Sequence, residues 1–275
     1  MATLKSQYVR KKQENKVGAD PEVFLFKDGK PFPAIGLIGG TKENPRPISN
    51  GAVQEDNVMA EFNIAPSKSA EEFSSNVEKM LGIVRKLAQK HGCELYIQPY
   101  AEFQEHYLNH PQAMAIGCDP DYNAWTLQMN PTLDYTVLKN IRTASGHVHV
   151  GVPNPEASPM FRSRLIKVLD LYLGVPSILL DPDKIRRKFY GKAGAFRPKP
   201  YGVEYRVLSN FWINDDKLRK WVFNNTINAI TNIGYYSKAE INGDQYFASI
   251  QKCINNNDVA LAEKLINKFS IELPY

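Results

Sequence analysis

The most constraining feature of this 275-residue sequence is a polar pair that recurs in four separate strand-like segments. In each segment, two polar residues flank a single non-polar or aromatic residue within a largely apolar run. Successive side chains of an extended chain point to opposite faces, so both members of a pair lie on one face. The pairs are Asp20 and Glu22, Glu61 and Asn63, His147 and His149, and Glu204 and Arg206. Four such strands in one sheet would give it one apolar face and one polar face.

The composition fits a globular protein of a reducing compartment. Hydrophobic residues make up 43% of the chain, which is enough to bury a sizeable core. Cys93, Cys118 and Cys253 are odd in number and lack CxxC spacing, which argues against a disulfide framework. The net charge of +5 is small and dispersed, so no nucleic-acid partner is implied. Without a signal peptide or a membrane-length apolar run, we expect no membrane partner and a cytoplasmic location.

The periodicity along the chain predicts an α+β fold. We expect a flexible N-terminal arm at 1–16 and one domain at 17–275, mostly helical from about 215. The hairpin-turn residues near the start of the chain and the irregular alternation of strands and helices favour a mainly antiparallel, curved sheet. Its helices would lie on one face, and its open face would be polar. Strands are predicted at 17–26, 31–38, 58–64, 93–103, 143–150 and 203–208, and helices at 69–91, 159–174 and 183–190, the last being a short basic helix or turn.

The polar face would bring four carboxylates together with two imidazoles and a guanidinium. Such carboxylates repel each other, and their pKa values would rise unless cations bind. Oxygen-rich ligation suits Mg²⁺, and the histidines add tolerance of Mn²⁺. Because Mg²⁺ usually enters protein sites with nucleotide phosphates, the pattern predicts a phosphoryl-transfer site. Each pair alone is more often a solvated strand face or a surface ion pair; their joint occurrence favours the metal site.

Two other segments could contact phosphate. The glycine-rich stretch 36–42 (GLIGGTK) could cradle phosphate through its backbone amides, with Lys42 as a nucleotide contact. It lacks the order of a P-loop, and a plain turn is the alternative. A basic cluster before Glu204 includes Arg186, Arg187 and Arg197, whose guanidinium groups could bind a triphosphate or a substrate carboxylate. A solvated basic patch is the alternative there.

These motifs resemble those of the glutamine synthetase and glutamate–cysteine ligase superfamily. GADPEVFLF at 18–26 resembles its first metal-binding strand, SGHVHVG at 145–151 its G-x-H-x-H strand, and GVEYRV at 202–207 its E-x-R strand. Within the superfamily, the chain is similar to the phage-type carboxylate–amine ligases (the COOH-NH2 ligase type 2 family), through GADPE, GLIGGTK, EFN, GHVHVG and GVEYR. The resemblance spans roughly residues 17–212, with the motifs in the same order.

The resemblance implies two metal positions, one nearer the amine and carboxylate substrates and one on the transferring phosphate. It also implies that Arg206 holds a substrate carboxylate or the acyl phosphate, and that Arg197, with Arg186 or Arg187, neutralises the phosphoryl group. Asp20 stands where the superfamily usually has the longer Glu. The implied ligands are Glu22 and Glu61 with Glu55 or Asp56 at the first position, and Asp20, His147 or His149, and Glu204 at the second.

The implied activity is that of an ATP-dependent carboxylate–amine ligase, which forms an amide through an acyl phosphate with Mg²⁺. Its partners would be small-molecule or peptide acids and amines. There is no room for the small N-terminal domain of glutamine synthetase, so ring assembly is not implied and the oligomeric state stays open. The alternatives are a guanidino-type phosphotransferase on the same fold, a non-enzymatic phage binding protein with a vestigial site, and, last, a metal hydrolase that uses the histidine pair. If the protein is phage-encoded, its location would be the host cytoplasm.

Overall fold

The structure is a computed structural model that describes residues 15–115, 121–131, 138–152, 158–181, 183–241 and 243–275. Apart from its last two residues, the predicted N-terminal arm lies outside the described residues, as does Cys118. Across the described ranges, no helix combines the length and the apolar character that a bilayer crossing requires.

The strands fall into one large and one small sheet. They are β1 Lys16–Lys27, β2 Lys30–Phe32, β3 Arg46–Ile48, β4 Gly51–Asp56, β5 Met59–Ile64, β6 Glu94–Tyr96, β7 Tyr100–Glu102, β8 Tyr122–Asn123, β9 Ile141–Thr143, β10 Gly146–Gly151, β11 Ala195–Lys199 and β12 Gly202–Tyr205. In the described part of the chain, ten of them form a sheet in the order β3-β4-β5-β1-β10-β12-β11-β8, with β2 and β6 also paired with β1. The pairings between these strands are antiparallel, and β7 pairs with β9 separately.

The helices lie mainly in the second half of the chain. They are α1 Ala70–Gln89, α2 Glu105–Leu108, α3 Pro111–Met114, α4 Pro159–Leu169, α5 Ser177–Leu180, α6 Arg186–Phe189, α7 Asp216–Ile241, α8 Gln245–Asn256 and α9 Val259–Phe269. A π-helical segment, Asp170–Gly174, extends α4, and a 3₁₀ turn, Asn210–Trp212, precedes α7.

The main core lies between the apolar face of the sheet and the helices. Alternate residues of β1 at 17, 19, 23 and 25 are buried in this core. The buried face of α1 repeats at helical spacing through Phe73, Val77, Met80, Leu81 and Val84. Burial of apolar surface contributes roughly 25 cal/mol per Å², so this packing is the main stabilising term. The opposite residues of β1, including Asp20 and Glu22, are left for the polar face, and the predicted α+β fold is confirmed.

The start of α1 is capped by side chains. The Ser69 side chain accepts a hydrogen bond from Glu72 N at 3.2 Å, and Glu72 Oε2 accepts one from Lys68 N at 2.7 Å. Two of the backbone N–H groups at the helix start are therefore satisfied by side chains.

Several predicted boundaries are corrected. The strand expected at 31–38 is only Lys30–Phe32, since Pro33 offers no N–H and the following residues turn around Glu55. The single helix expected at 159–174 changes from α to π geometry at Asp170. The strands β4 and β11 were not predicted, although both contribute to the polar face.

Candidate active site

The sheet register places the predicted polar pairs beside one another. Because the pairing is antiparallel, residues opposite each other across two strands share a face. The aligned residues are Gln54, Glu61 and Glu22 in one row, Asp20 and His147 in the next, and His149, Glu204 and Arg197 in a third. One polar face therefore carries side chains from six of the strands.

A cavity of about 520 Å³ opens over this face. Its walls include Asp20, Glu22, Glu61, His147, His149 and Arg206. Glu204 is fully buried, and it forms ion pairs with Lys199 and Arg206, which line the cavity. The structure thus brings together all four sequence segments from which the site was predicted.

The first ligand group consists of Glu22, Asp56 and Glu61, which offer carboxylate oxygens within 4.8 Å of one another. Burial raises the pKa of Glu61 well above its usual value, and the charges of Asp20, Asp56 and Glu22 raise it further. Burial, aided by Asp56, likewise raises the pKa of Glu22 to about 8. Hydrogen bonds from Ser145 N to Glu22 and from Gln54 Nε2 to Glu61, both 2.7 Å, offset only part of this effect.

The second ligand group consists of Asp20, His149 and Glu204, again with ligand atoms within 4.8 Å. His149 Nε2 lies 2.8 Å from Asp20 Oδ2. Burial opposes ionisation of Asp20, but His149 and His147 outweigh it and hold the pKa of this carboxyl below its usual range. For His149, burial lowers the pKa and Asp20 raises it, with a net increase.

His147 occupies a different position from His149. Its Nδ1 lies 3.4 Å from Asp20 Oδ1 and 3.6 Å from Glu204 Oε1, between the two carboxylates. Burial and Arg206 lower the pKa of His147 to about 4, so the ring is neutral at neutral pH. The sequence left open which histidine is a ligand, and His149 is the one with a ring nitrogen within 4.8 Å of the carboxylate oxygens of Asp20 and Glu204.

Basic side chains surround Glu204. Arg206 Nη1 donates to Glu204 Oε1, Lys199 Nζ lies 2.7 Å from Oε2, and Arg197 Nη1 lies 3.4 Å from Oε1. Burial and Asp20 raise the pKa of Glu204, but Arg206 and the two histidines lower it to a net value of about 2. Glu204 is therefore ionised, and the cations beside it are fixed in place.

Arg206 is also held from its other side. Its Nη2 donates to the Tyr190 hydroxyl, and its Nε lies 3.6 Å from Asp121 Oδ2. The Tyr190 ring lies near two guanidinium groups, with Arg186 Cζ 5.1 Å and Arg206 Cζ 5.7 Å from its centroid. These contacts hold the Arg206 guanidinium in one orientation along the cavity wall.

Glu55 does not belong to the site. Its carboxylate accepts hydrogen bonds from the backbone N–H groups of Gly36, Ile38 and Gly39 at 2.8–3.0 Å. The predicted role of Glu55 as a metal ligand is therefore wrong, and its neighbour Asp56 faces the cavity instead. The same bonds use three amides of the GLIGGTK loop, so these cannot cradle phosphate. Lys42, at the end of this loop, does line the cavity, 3.7 Å from Asp56.

The predicted role of Arg186 and Arg187 as nucleotide contacts is also corrected, because both side chains are buried behind the cavity rather than exposed in it. Arg186 donates to the carbonyls of Val207 and Leu208 and to Ser145 Oγ at 2.9–3.0 Å. Arg187 Nη2 donates to Ser177 Oγ at 3.0 Å. Neither lines the cavity, so a direct role in nucleotide binding is not supported.

Gln54, Tyr190 and Tyr201 are among the cavity residues that the sequence analysis did not single out. Lys199, a member of the basic cluster, is two residues after Arg197 on β11, and both line the cavity, as the alternation of a strand requires. Gln54 shares a face with Asp56 on β4. The positions of the two tyrosines depend on turns and tertiary contacts, and no local pattern indicates them.

The residues present fit divalent cations of the magnesium type. Five of the six side chains in the two ligand groups are carboxylates, and the sixth is an imidazole. In the first group, burial and mutual repulsion outweigh the nearby cations Lys42 and Arg206 and raise the pKa values of Glu22 and Glu61, an effect that a bound cation would reverse. Within the described residues, buried His147 Nε2 also makes no hydrogen bond.

Comparison with known proteins agrees with the class predicted from the motifs. Residues 140–249 match the family model described as phage phiEco32-like COOH.NH2 ligase-type 2, which confirms the resemblance over that part of the chain. The matched part includes β10, β11 and β12, and its description indicates a carboxylate–amine ligase.

The chain is similar to a solved structure described as the crystal structure of a novel glutamine synthase homolog. It shares 10% sequence identity over an alignment that covers 95% of this chain and 69% of that chain, with a TM-score of 0.41. No curated protein matches the chain.

Proposed function

We propose that the protein is an ATP-dependent ligase that joins a carboxylate to an amine through an acyl phosphate. One observation carries the proposal: two three-residue ligand groups and five basic side chains surround a single cavity. The basic side chains are Lys16, Lys42, Arg197, Lys199 and Arg206. Such a combination of acidic metal ligands and cations is what a phosphoryl-transfer site requires.

The proposed reaction has two steps. A carboxylate oxygen of the acid substrate attacks the γ-phosphorus of ATP, which releases ADP and leaves an acyl phosphate. The amine nitrogen then attacks the acyl carbon, so a C–N bond forms, inorganic phosphate leaves and the nitrogen loses a proton. Both steps depend on holding the reacting groups in line and on compensating negative charge.

The basic side chains meet the second need. Arg197 and Lys199 lie on β11, beside the second ligand group, where they can contact phosphate oxygens. Arg206 lies between Glu204 and Tyr190, and we assign it to the substrate carboxylate or the acyl phosphate. Because its contacts fix the guanidinium before substrate arrives, little ordering remains to be done on binding.

Mg²⁺ or Mn²⁺ would be held by Glu22, Asp56 and Glu61 at one position and by Asp20, His149 and Glu204 at the other. When bound, these ions would neutralise phosphate charge and orient its oxygens. The support for this is the donor set itself and the raised pKa values of the first group.

Calorimetric titration of the protein with Mg-ATP tests the nucleotide part of the proposal. Incubation with ATP and a pool of candidate acids and amines, read by mass spectrometry, tests the ligase part. We expect ATP-dependent amides together with free phosphate. Glu22→Ala and Glu204→Ala should abolish turnover with the circular dichroism spectrum retained, while Glu71→Ala, at an exposed position on α1, should not.

The outcomes separate the alternatives. A stable phosphorylated substrate without amide would indicate a phosphotransferase. No binding of Mg-ATP at millimolar concentration, with no stabilisation against heat, would indicate a binding protein with a vestigial site and would overturn the proposal.

A further inference from the structure

We propose that Tyr201 is a positioning residue that holds the His149 ring with Nε2 at the metal position and accepts the Nδ1 proton in a hydrogen bond when a metal ion binds Nε2. The inference rests on the metal position formed by Asp20, His149 and Glu204 in the proposed function. It extends that site to a residue that neither the motifs nor the family description assigns.

The backbone fixes where Tyr201 stands. It lies in the turn between β11 and β12, and its carbonyl accepts a hydrogen bond from Val152 N at 3.0 Å. The next residue is Gly202, where an added Cβ would lie 2.1 Å from the carbonyl oxygen of Val150. The turn therefore packs tightly against the end of β10, the strand that carries His149.

This placement brings the phenol onto the imidazole. The Tyr201 hydroxyl and His149 Nδ1 form a hydrogen bond, and the two ring centroids are 5.9 Å apart at an interplanar angle of 37°. On the opposite side of the same imidazole, Nε2 lies 2.8 Å from Asp20 Oδ2, so in the absence of a metal ion it donates its proton to this carboxylate. A cation bound at Nε2 would replace that proton, and the proton of the neutral ring would then lie on Nδ1, beside the Tyr201 oxygen.

The position of the imidazole proton decides whether Nε2 can bind a cation. A neutral imidazole has one N–H and one lone pair, so Nε2 can bind a cation only when Nδ1 carries the proton. An oxygen that accepts from Nδ1–H stabilises that tautomer, as outer partners of metal-binding histidines commonly do. The Tyr201 oxygen can accept, and because its side chain is 43% exposed, its own O–H can donate to solvent.

His147 has no equivalent arrangement, since its Nδ1 lies between two carboxylates and the ring nearest to it in the described structure, Tyr190, is 6.2 Å away between centroids. Of the two histidines, His149 is therefore the one with a phenol oxygen at Nδ1.

Titration of the nucleotide-free protein with Mn²⁺, followed by electron paramagnetic resonance, tests the inference. Glu204→Gln identifies which class of bound Mn²⁺ belongs to the second ligand group. We expect Tyr201→Phe, which keeps the ring and removes only the hydroxyl, to weaken that class by about 10–100-fold and to leave the other class unchanged. Tyr122→Phe, on the edge strand β8 outside the cavity lining, is the matched control and should bind as the wild type does.

A spectroscopic measurement separates positioning from a general structural effect. In ¹⁵N-histidine-labelled protein with Mg²⁺, long-range proton–nitrogen correlations should show the Nδ1-protonated tautomer of His149, and Tyr201→Phe should convert it to a mixture. Unchanged Mn²⁺ affinity and an unchanged tautomer in Tyr201→Phe would overturn the inference and leave the proposed function standing. Absence of Mn²⁺ binding by the wild type would overturn the metal part of the proposed function, and this inference with it.

Discussion

Glu22 and Glu61 are direct partners across β1 and β5, and Asp56 completes a group of three carboxylates that is largely withdrawn from solvent. Like charges at this separation disfavour one another, and burial removes the water that would screen them. A fold that retains such a group maintains a locally destabilising arrangement. Binding of a divalent cation is the simplest way to make it favourable.

The first prediction concerns Glu61→Gln. In the presence of a chelator at about pH 8, we expect the variant to be more stable than the wild type by roughly 1–3 kcal/mol, because the wild type must either bury a charge or take up a proton on folding and the variant need do neither, while its amide can still pair with Gln54. Near pH 5 the gain should vanish, since the wild-type carboxyl is then protonated. Urea denaturation at the two pH values measures both. A loss of stability at pH 8 would show that burial of the Glu61 carboxyl does not destabilise the folded protein.

The four motif strands were predictable because each polar pair sits in an apolar alternation that fixes both the strand and its face. The strand β4 was missed since Gln54, Glu55 and Asp56 are three polar residues in a row, which hides the alternation. Only the structure shows that Glu55 turns to the loop amides while its neighbours face the cavity. A local pattern gives the face of a strand but not the partner on either side.

The second prediction tests that assignment with adjacent residues. Glu55→Ala removes an acceptor of three backbone N–H groups, so we expect the free energy of unfolding to fall by about 2–3 kcal/mol with Mn²⁺ affinity largely retained. Asp56→Ala should do the reverse, with little or no loss of stability and at least about a tenfold loss of affinity at the first position. Chemical denaturation and Mn²⁺ titration on both variants give the comparison. Equal effects of the two substitutions would contradict the assignment.

The third prediction is the pH dependence of metal binding. Burial raises the pKa values of Glu22 and Glu61, so both carboxyls must lose protons that they hold near neutral pH before a cation can bind. Affinity at the first position should therefore rise with pH up to about 8, and protons should be released. Calorimetry in two buffers of different ionisation enthalpy counts those protons. The same apparent affinity at pH 6 and pH 8 would argue that these carboxyls are not the ligands.

The fourth prediction concerns Arg187 and Arg197, for which the sequence predicted the same role in phosphate binding. Charged residues are usually exposed, so a basic cluster before Glu204 suggested a phosphate surface. Arg187 is instead buried, while Arg197 reaches the cavity. We expect Arg187→Ala to cost about 3 kcal/mol of stability, because it leaves Asp181 and Ser177 without their buried partner. Arg197→Ala should mainly weaken Mg-ATP binding, by about tenfold or more.

Thermal denaturation and Mg-ATP calorimetry on the two variants decide this case. The calorimetry of Arg187→Ala is done at a temperature where circular dichroism shows it folded. If Arg187→Ala loses nucleotide affinity while keeping its stability, the assignment of Arg187 to the interior packing is wrong.

The fifth prediction concerns Asp170, a buried carboxylate outside the cavity. Its Oδ1 accepts from the Tyr205 hydroxyl at 2.8 Å and its Oδ2 from Trp125 Nε1 at 2.6 Å. Burial nevertheless raises its pKa to about 7, from 3.8 for an ordinary Asp. The folded state then holds a proton that the unfolded chain has lost, so the stability due to this group is present at low pH and declines as the pH rises through about 4 to 7.

Asp170→Asn removes that dependence and keeps one acceptor and one donor for the two partners. Relative to that of the wild type, the free energy of unfolding of the variant should increase by up to about 4 kcal/mol as the pH rises from 4 to 8. Most of this increase should occur below pH 7. Because Glu22 and Glu61 are present in both proteins, subtracting the two urea-denaturation profiles isolates Asp170. Parallel profiles would mean that its carboxyl is already ionised throughout this range, held by the hydrogen bonds from Trp125 and Tyr205 more strongly than burial opposes it.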